Sequence, residues 1–326
     1  MVVLLLAAFV AACAPQPDEI EDEPLLVRVL FPLHGLGDRS FADAAYEGIV
    51  RAGLEYNLVV THGTPDDMEE AAMILHEWLA EPATRDELII SVGVKYSDLI
   101  AAVDCPLAPR MMLHLDERLP EACDNVRSVS FGTFAPSFLA GVASLSVAKR
   151  PFAAAIGGMD VETVNLFLRG FEAGVVYAGG TMRGISYLSE DVDGFANPEL
   201  AKETAQFLYQ ESDVVFPVAG GSNPGVFEAA KEQEGRFSLG VDSDQSWMGV
   251  GVIVGSVTKH LDKAIIQAVA DVTQRNFVGG PMEMGLTQGG TALVINDLFE
   301  QEVRNSVEMA REAALAAEAM DREQHP

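Results

Sequence analysis

Phe216-Pro-Val-Ala-Gly-Gly-Ser-Asn-Pro-Gly-Val-Phe-Glu-Ala-Ala230 carries the chain from a strand, through a glycine pair, into a helix. The uncharged, β-branched and aromatic run at 214–218 reads as a buried strand. Residues 224–232 read as a helix. Gly220 and Gly221 lie at the carboxyl end of that strand, the edge at which α/β sheets bind ligands. Without a Cβ, the backbone there can approach a small molecule closely.

The same strand–turn–helix unit repeats in both directions. Upstream, strands are expected at 26–31, 58–61, 87–92, 110–116 and 126–131. Helices are expected between them at 40–53, 65–79 and 96–103, and after them at 134–147. Ser40 stands at the helix start as an N-cap, with Asp43 three residues on. Lys149-Arg150-Pro151 interrupts the series. A second series then places strands at 153–156, 183–188, 214–218, 238–241 and 250–254. Helices at 161–177, 198–209 and 224–232 alternate with them. A long helix at 257–274, short apolar runs at 282–284 and 291–295 and a charged helix at 298–320 close the chain. Alternating βα units predict an α/β fold with parallel sheets covered by helices on both faces.

The 326 residues suit two domains. A hydrophobic fraction of 49% permits a sizeable core in each. There are 49 acidic against 21 basic residues, a net charge of −28. That balance disfavours nucleic acid and anionic membrane surfaces as direct partners, since both need a positive patch. A solvated acidic surface accounts for it.

Residues 1–13 form an apolar run too short to span a bilayer, ending Val10-Ala-Ala-Cys13. The run resembles an export signal with a bacterial lipobox, which makes Cys13 the expected lipidation site. No Lys or Arg precedes it. Residues 14–25 are an acidic, proline-bearing linker. An exported chain permits Cys105 and Cys123 to pair, and parallel strands would bring both to one side of the sheet. Two buried free thiols is the other reading.

Three segments stand apart from generic α/β sequence: Gly35-Leu-Gly-Asp-Arg-Ser-Phe-Ala-Asp-Ala-Ala-Tyr-Glu-Gly48, the 216–230 stretch, and Leu239-Gly-Val-Asp-Ser-Asp-Gln245 with Val254-Gly-Ser-Val-Thr-Lys259. With Phe138-Leu-Ala-Gly141, Ile156-Gly-Gly-Met159 and Arg169-Gly-Phe-Glu-Ala-Gly174, they resemble the basic membrane protein family. These are PnrA-like substrate-binding lipoproteins of ABC transporters for nucleosides. The resemblance runs from about residue 27 to about 293. It implies a type I periplasmic binding protein, two Rossmann-like lobes joined by a hinge. On that reading residues 26–150 with about 257–280 form the first lobe. Residues 151–256 with about 281–326 form the second lobe and the closing helix.

The resemblance also implies a site between the lobes. Aromatic rings can sandwich a base through its π-faces, and carboxylates can accept from ribose hydroxyls. Phe41 and Phe195 are the implied rings, and Asp98 and Asp242 the implied carboxylates. Lys259 is the basic partner, with Gly220 and Gly221 beside the ligand. Three positions depart from the family pattern. Phe31-Pro-Leu-His34 lacks the family's aspartate, Ala42 replaces Asn after the stacking Phe, and the helix aromatic, often Trp, is Tyr46. The implied partners are a nucleoside-like ligand, a membrane ABC permease and a lipid anchor, with no cofactor and no metal. A receptor for another small ligand, or a sensory protein, is the nearest alternative.

An enzyme is a weaker reading, with a periplasmic hydrolase on a similar scaffold as its best form. Gly220-Gly-Ser-Asn-Pro-Gly225 resembles a serine nucleophile elbow, but the second Gly falls one place late. Asp242-Ser-Asp244 begins like a calcium loop, but Trp247 occupies the place that needs Gly. The six histidines are scattered, with no pair at metal-ligand spacing.

Overall fold

The structure is a computed structural model that describes residues 23–33, 35–105, 107, 109–120 and 123–325. Cys13, the apolar run before it, most of the acidic linker and His34 lie outside the described residues. The first lobe opens with β1 (Leu25–Leu30), α1 (Phe41–Glu55), β2 (Leu58–Gly63), α2 (Met68–Ala80) and β3 (Glu87–Val92). It continues with α3 (Ser97–Ala101), β4 (Arg110–Leu115) and β5 (Val126–Phe131). Then come α4 (Phe134–Val147), β6 (Phe152–Gly157), α5 (Glu162–Tyr177), β7 (Thr181–Tyr187), α6 (Pro198–Leu208) and β8 (Val214–Val218). The chain ends with α7 (Asn223–Lys231), β9 (Phe237–Asp242), β10 (Ile253–Lys259), α8 (Leu261–Thr273), β11 (Gly280–Met284), β12 (Thr291–Ile295) and α9 (Glu300–Gln324).

Two six-stranded sheets result, ordered β11-β5-β4-β3-β1-β2 and β12-β10-β9-β8-β6-β7. Among the described residues every pairing is parallel except β10 with β12. Central strands β3, β8 and β10 are buried at every residue, as two-sided cover by helices requires. Edge strands β2 and β7 carry exposed residues. The first core packs Val27, Val29, Ile90 and Leu113 against Ile49 of α1 and Ile265 of α8. The second packs Ala155, Val214, Phe216 and Val241 against Phe167 and Phe171 of α5.

The chain passes between lobes three times: after β5, after β10 and between β11 and β12. The crossings are bonded together. Gly132 N donates to Met284 O at 3.2 Å, Thr291 Oγ1 to Gly132 O at 2.8 Å, and His260 N to Gly290 O at 2.8 Å. These crossings form the hinge.

The lobe boundaries differ from the sequence expectation. Helix α4, placed by sequence in the first lobe, packs against α5 and α9 of the second. The first crossing is therefore at Gly132–Thr133, not at 150. The cause is close backbone packing. A Cβ at Gly141 would lie 2.5 Å from Phe171 O, and one at Gly174 would lie 1.9 Å from Phe138 O. Two of the quoted motifs, 138–141 and 169–174, are thus the two sides of one helix contact. Strand β11 joins the first sheet, so that lobe runs to 284 and not to 280. Residues 257–259 extend β10 and do not open the following helix. Cys105 and Cys123 are joined as a disulfide, with their Cα atoms 6.3 Å apart.

One buried group makes stability depend on pH. His114 on β4 is fully buried between Ser91 Oγ, 2.9 Å from Nδ1, and Ser97 Oγ, 3.0 Å from Nε2. Burial pushes its pKa down from 6.5 to about 4. The unfolded chain takes up this proton near pH 6.5, while the folded chain resists until about 4. Its contribution is complete above 6.5 and is lost as pH falls through that window. The full window corresponds to about 3 kcal/mol. Urea unfolding midpoints should fall between pH 7 and pH 5. The fall should be shallower in His114→Gln; an equal fall in both proteins would assign the slope to other groups.

Candidate functional site

The carboxyl ends of β1, β3 and β4 face those of β6, β8, β9 and β10 across a cleft. Between them lies a cavity of about 320 Å³. Strand ends and helix starts meet there, so short loops and the side chains they carry shape its walls.

From the first lobe, α1 begins at this wall. Ser40 occupies the expected N-cap position, but its hydroxyl does not cap the helix. It donates to Asp242 Oδ2 at 2.7 Å, on the other lobe. Asp38 provides the cap. Its carboxylate accepts from Ser40 N at 2.9 Å, Ala42 N at 2.9 Å and Asp43 N at 3.2 Å. Burial raises the Asp38 pKa, against the pull of these three donors. Asp43 accepts from Gly37 N and Arg39 N and so fixes the preceding loop.

Lys259, at the end of β10 beside the hinge, is buried among carboxylates and rings. Its Nζ lies 2.6 Å from Asp116 Oδ1 and 3.7 Å from Asp242 Oδ1. It also lies 5.1 Å from the Phe41 ring centroid and 5.0 Å from that of Phe167, within cation–π reach of both. Burial works against the charge on Lys259, but Asp116 and Asp242 outweigh it and hold its pKa above the ordinary value. Burial likewise pushes Asp116 up, with Lys259 opposing. Asp116 and Asp242 both adopt the left-handed backbone region, at φ 89° and 65°. That conformation is unusual outside glycine, and strain of this kind clusters at functional sites.

From the second lobe, Phe195 leans on glycine. A Cβ at Gly158 would lie 2.5 Å from its ring, so only a bare backbone after β6 leaves room for it. Gly220, at φ 50°, turns the chain beside the same residue. The lobes are closed on one another. Ser243 Oγ and Gln245 Nε2 both donate to Arg39 O, at 3.1 and 3.0 Å, and Lys95 pairs with Asp191 at 3.1 Å.

Phe41, Phe195, Gly220, Gly221, Asp242 and Lys259 all border this cavity. Asp98 does not: it is exposed on α3, outside the wall. The first-lobe carboxylate that borders the cavity and pairs with Lys259 is Asp116, which sequence reasoning missed. Leu113-His-Leu-Asp116 ends β4 as Leu239-Gly-Val-Asp242 ends β9, and that parallel was the available signal. Asp38 was also missed. Ser222, the serine of the near-elbow, is fully buried and donates to Gly194 O at 2.8 Å. It serves as a structural bridge between loops.

The model of the family described as ABC transporter substrate-binding protein, PnrA-like, matches residues 27–319. The chain belongs to this family. Members are substrate-binding proteins of ABC transporters, which bind small ligands and work with membrane permeases. An uncharacterised lipoprotein of Pyrococcus furiosus is 28% identical over 300 residues, covering 89% of this chain and 75% of its own. Basic membrane protein D of Borreliella burgdorferi is 26% identical over 311 residues, covering 90% and 85%. An ABC transporter solute-binding protein of Aeropyrum pernix superposes with a TM-score of 0.75 at 28% identity, covering 92% of this chain and 86% of its own. No helix among the described residues is long and apolar enough to cross a membrane.

Proposed function

We propose that this PnrA-like receptor binds a nucleoside, with purine nucleosides favoured, between its lobes and delivers it to an ABC permease from a lipid anchor at Cys13. The observation that carries the ligand reading is the pairing of two unlike ends in one closed cavity. Phe41 and Phe195 supply aromatic surface from opposite lobes, and Asp116, Asp242 and Lys259 supply acceptors and a cation beside them. A base stacks on rings, and a ribose donates hydroxyl protons to carboxylates. The ligand would bind the closed arrangement better than the open one, which converts occupancy into a shape the permease can recognise. The anchor reading rests on Val10-Ala-Ala-Cys13 and on relatives named as lipoproteins.

Thermal unfolding with a nucleoside panel tests the ligand. Ligand at about a hundred times Kd stabilises by about 2.7 kcal/mol, so a clear rise in Tm is expected, with the nucleoside recovered unchanged. No rise with any purine or pyrimidine nucleoside sinks the reading. For the anchor, Cys13→Ala should shift the protein from the membrane fraction to the soluble one; unchanged membrane association would refute lipidation at Cys13.

A further inference from the structure

We propose that Phe167 is a positioning residue of the site. With Phe41, Asp116 and Asp242 it forms a socket, split between the lobes, that holds the Lys259 ammonium when they close. The Phe167 ring then serves the lysine and not the base. The socket stands on these contacts alone and goes beyond the nucleoside reading above.

The socket has matched halves. The first lobe contributes Asp116, 2.6 Å from Lys259 Nζ, and Phe41, whose ring centroid is 5.1 Å away. The second contributes Asp242 at 3.7 Å and Phe167 at 5.0 Å. Each lobe thus supplies one carboxylate and one ring to the same ammonium. Phe131, at the end of β5, adds a third ring at 6.0 Å from the first lobe. A cation over a ring gains most where water is excluded, and Lys259 is almost wholly buried.

Phe167 is fixed from behind. It is fully buried on α5 and packs on Phe216 with ring centroids 6.4 Å apart, yet it also borders the cavity. Core packing sets where the ring stands, and the ammonium lies over it. A cation in that place occupies the surface on which a base would stack. Lys259 ends β10, where the chain crosses toward the first lobe. A 2.6 Å ion pair is lost on a small separation, so opening leaves the lysine with one half of its socket. Closing assembles the other half, and the Phe167 ring contributes to closure through the lysine.

Fluorinated phenylalanines at position 167 test this, because they keep the shape of the ring while withdrawing charge from its face. The first readout needs no ligand. It is the rate of reductive methylation of Lys259 in the full chain, against exposed Lys263, by mass spectrometry. Protection of Lys259 should fall with each fluorine, by about tenfold for the pentafluoro ring, the size of a desolvated cation–π contact. The same replacements at Phe216, a core ring behind Phe167, should leave it unchanged. Constant protection along the series at 167, or an equal fall from Phe216, overturns the socket. Without ligand, the pentafluoro variant at 167 should scatter with a larger radius of gyration than the parent; an unchanged radius overturns the closing role. With inosine as probe, affinity should fall along the same series. A ring that stacks on the base would bind inosine no worse when electron-poor, so constant or rising affinity assigns Phe167 to the base and overturns the inference. Binding of inosine or adenosine to no member of the series, parent included, counts against the nucleoside reading, while the methylation rates still decide the socket.

Discussion

Replacing Lys259 with Met should destabilise the protein by about 3–5 kcal/mol at neutral pH, the usual cost of removing one partner from a buried ion pair. Lys259 and Asp116 are almost wholly buried, and their 2.6 Å contact is the shortest ion pair at the cavity. The methionine would fill the space between Phe41 and Phe167, so the cost is chiefly electrostatic. Asp116 would be left buried and unpaired, with its pKa already raised by burial. Without the lysine it should rise further. A carboxylate whose folded pKa lies above its unfolded value costs stability at high pH, and the cost fades as pH falls through the folded pKa. The variant should therefore recover stability relative to the parent between neutral pH and the ordinary carboxylate range. The double variant with Asp116→Asn should be more stable at pH 7 than Lys259→Met alone, since a neutral pair leaves no buried charge. Chemical denaturation of the three variants at pH 7 and pH 5 measures this. A double variant no better than the single would show that Lys259 acts through packing.

How much of this site the sequence discloses follows from what local pattern encodes. Strand β8 is legible because burial on both faces leaves an unbroken apolar run, and β3 because Leu88-Ile-Ile90 forms a shorter one. Lobe membership is not legible for α4. An apolar helix of small residues fits either core, and its contact with Gly170 and Gly174 of α5, together with its packing on α9, places it. The sequence pattern places residues 257–259 in the following helix because apolar residues run on through α8. The β-branched pair Val257 and Thr258 argued for strand, and pairing with β9 and β12 settles it. At the site, loops flagged by glycine point to the right wall. The glycines mark where backbone must approach backbone or a ring, a constraint visible residue by residue. Charge partnership is different. Asp98 and Asp116 look alike as acids that follow strands, and only the folded chain separates an exposed Asp98 on α3 from a buried Asp116 paired with Lys259. Ser40 illustrates the same limit: a serine before a helix reads as its cap, yet its hydroxyl crosses to the other lobe and Asp38 takes over the capping.

Asp242→Ala should abolish nucleoside binding, with affinity lost by at least about a hundredfold, or about 2.7 kcal/mol, as expected for one or two hydrogen bonds to a charged acceptor. The side chain has two duties that this change alone cannot separate. It borders the cavity beside Lys259, and it accepts the Ser40 hydroxyl from the opposite lobe. It also sits at φ 65°, where alanine is disfavoured by about 1–2 kcal/mol and asparagine is tolerated. Asp242→Asn keeps the backbone and can still accept from Ser40, so it isolates the charge and should weaken binding less than alanine does. Ser40→Ala removes only the bond between lobes. If Asp242 meets the ligand, Ser40→Ala should lower affinity by no more than a few-fold, the size of one neutral hydrogen bond. Loss of affinity in Ser40→Ala equal to that in Asp242→Ala would make Asp242 a latch that holds the lobes shut. Specificity would then rest with Asp116 and the rings. Titration of the three variants with the nucleoside that most stabilises the parent decides between a ligand-binding carboxylate and a closing contact.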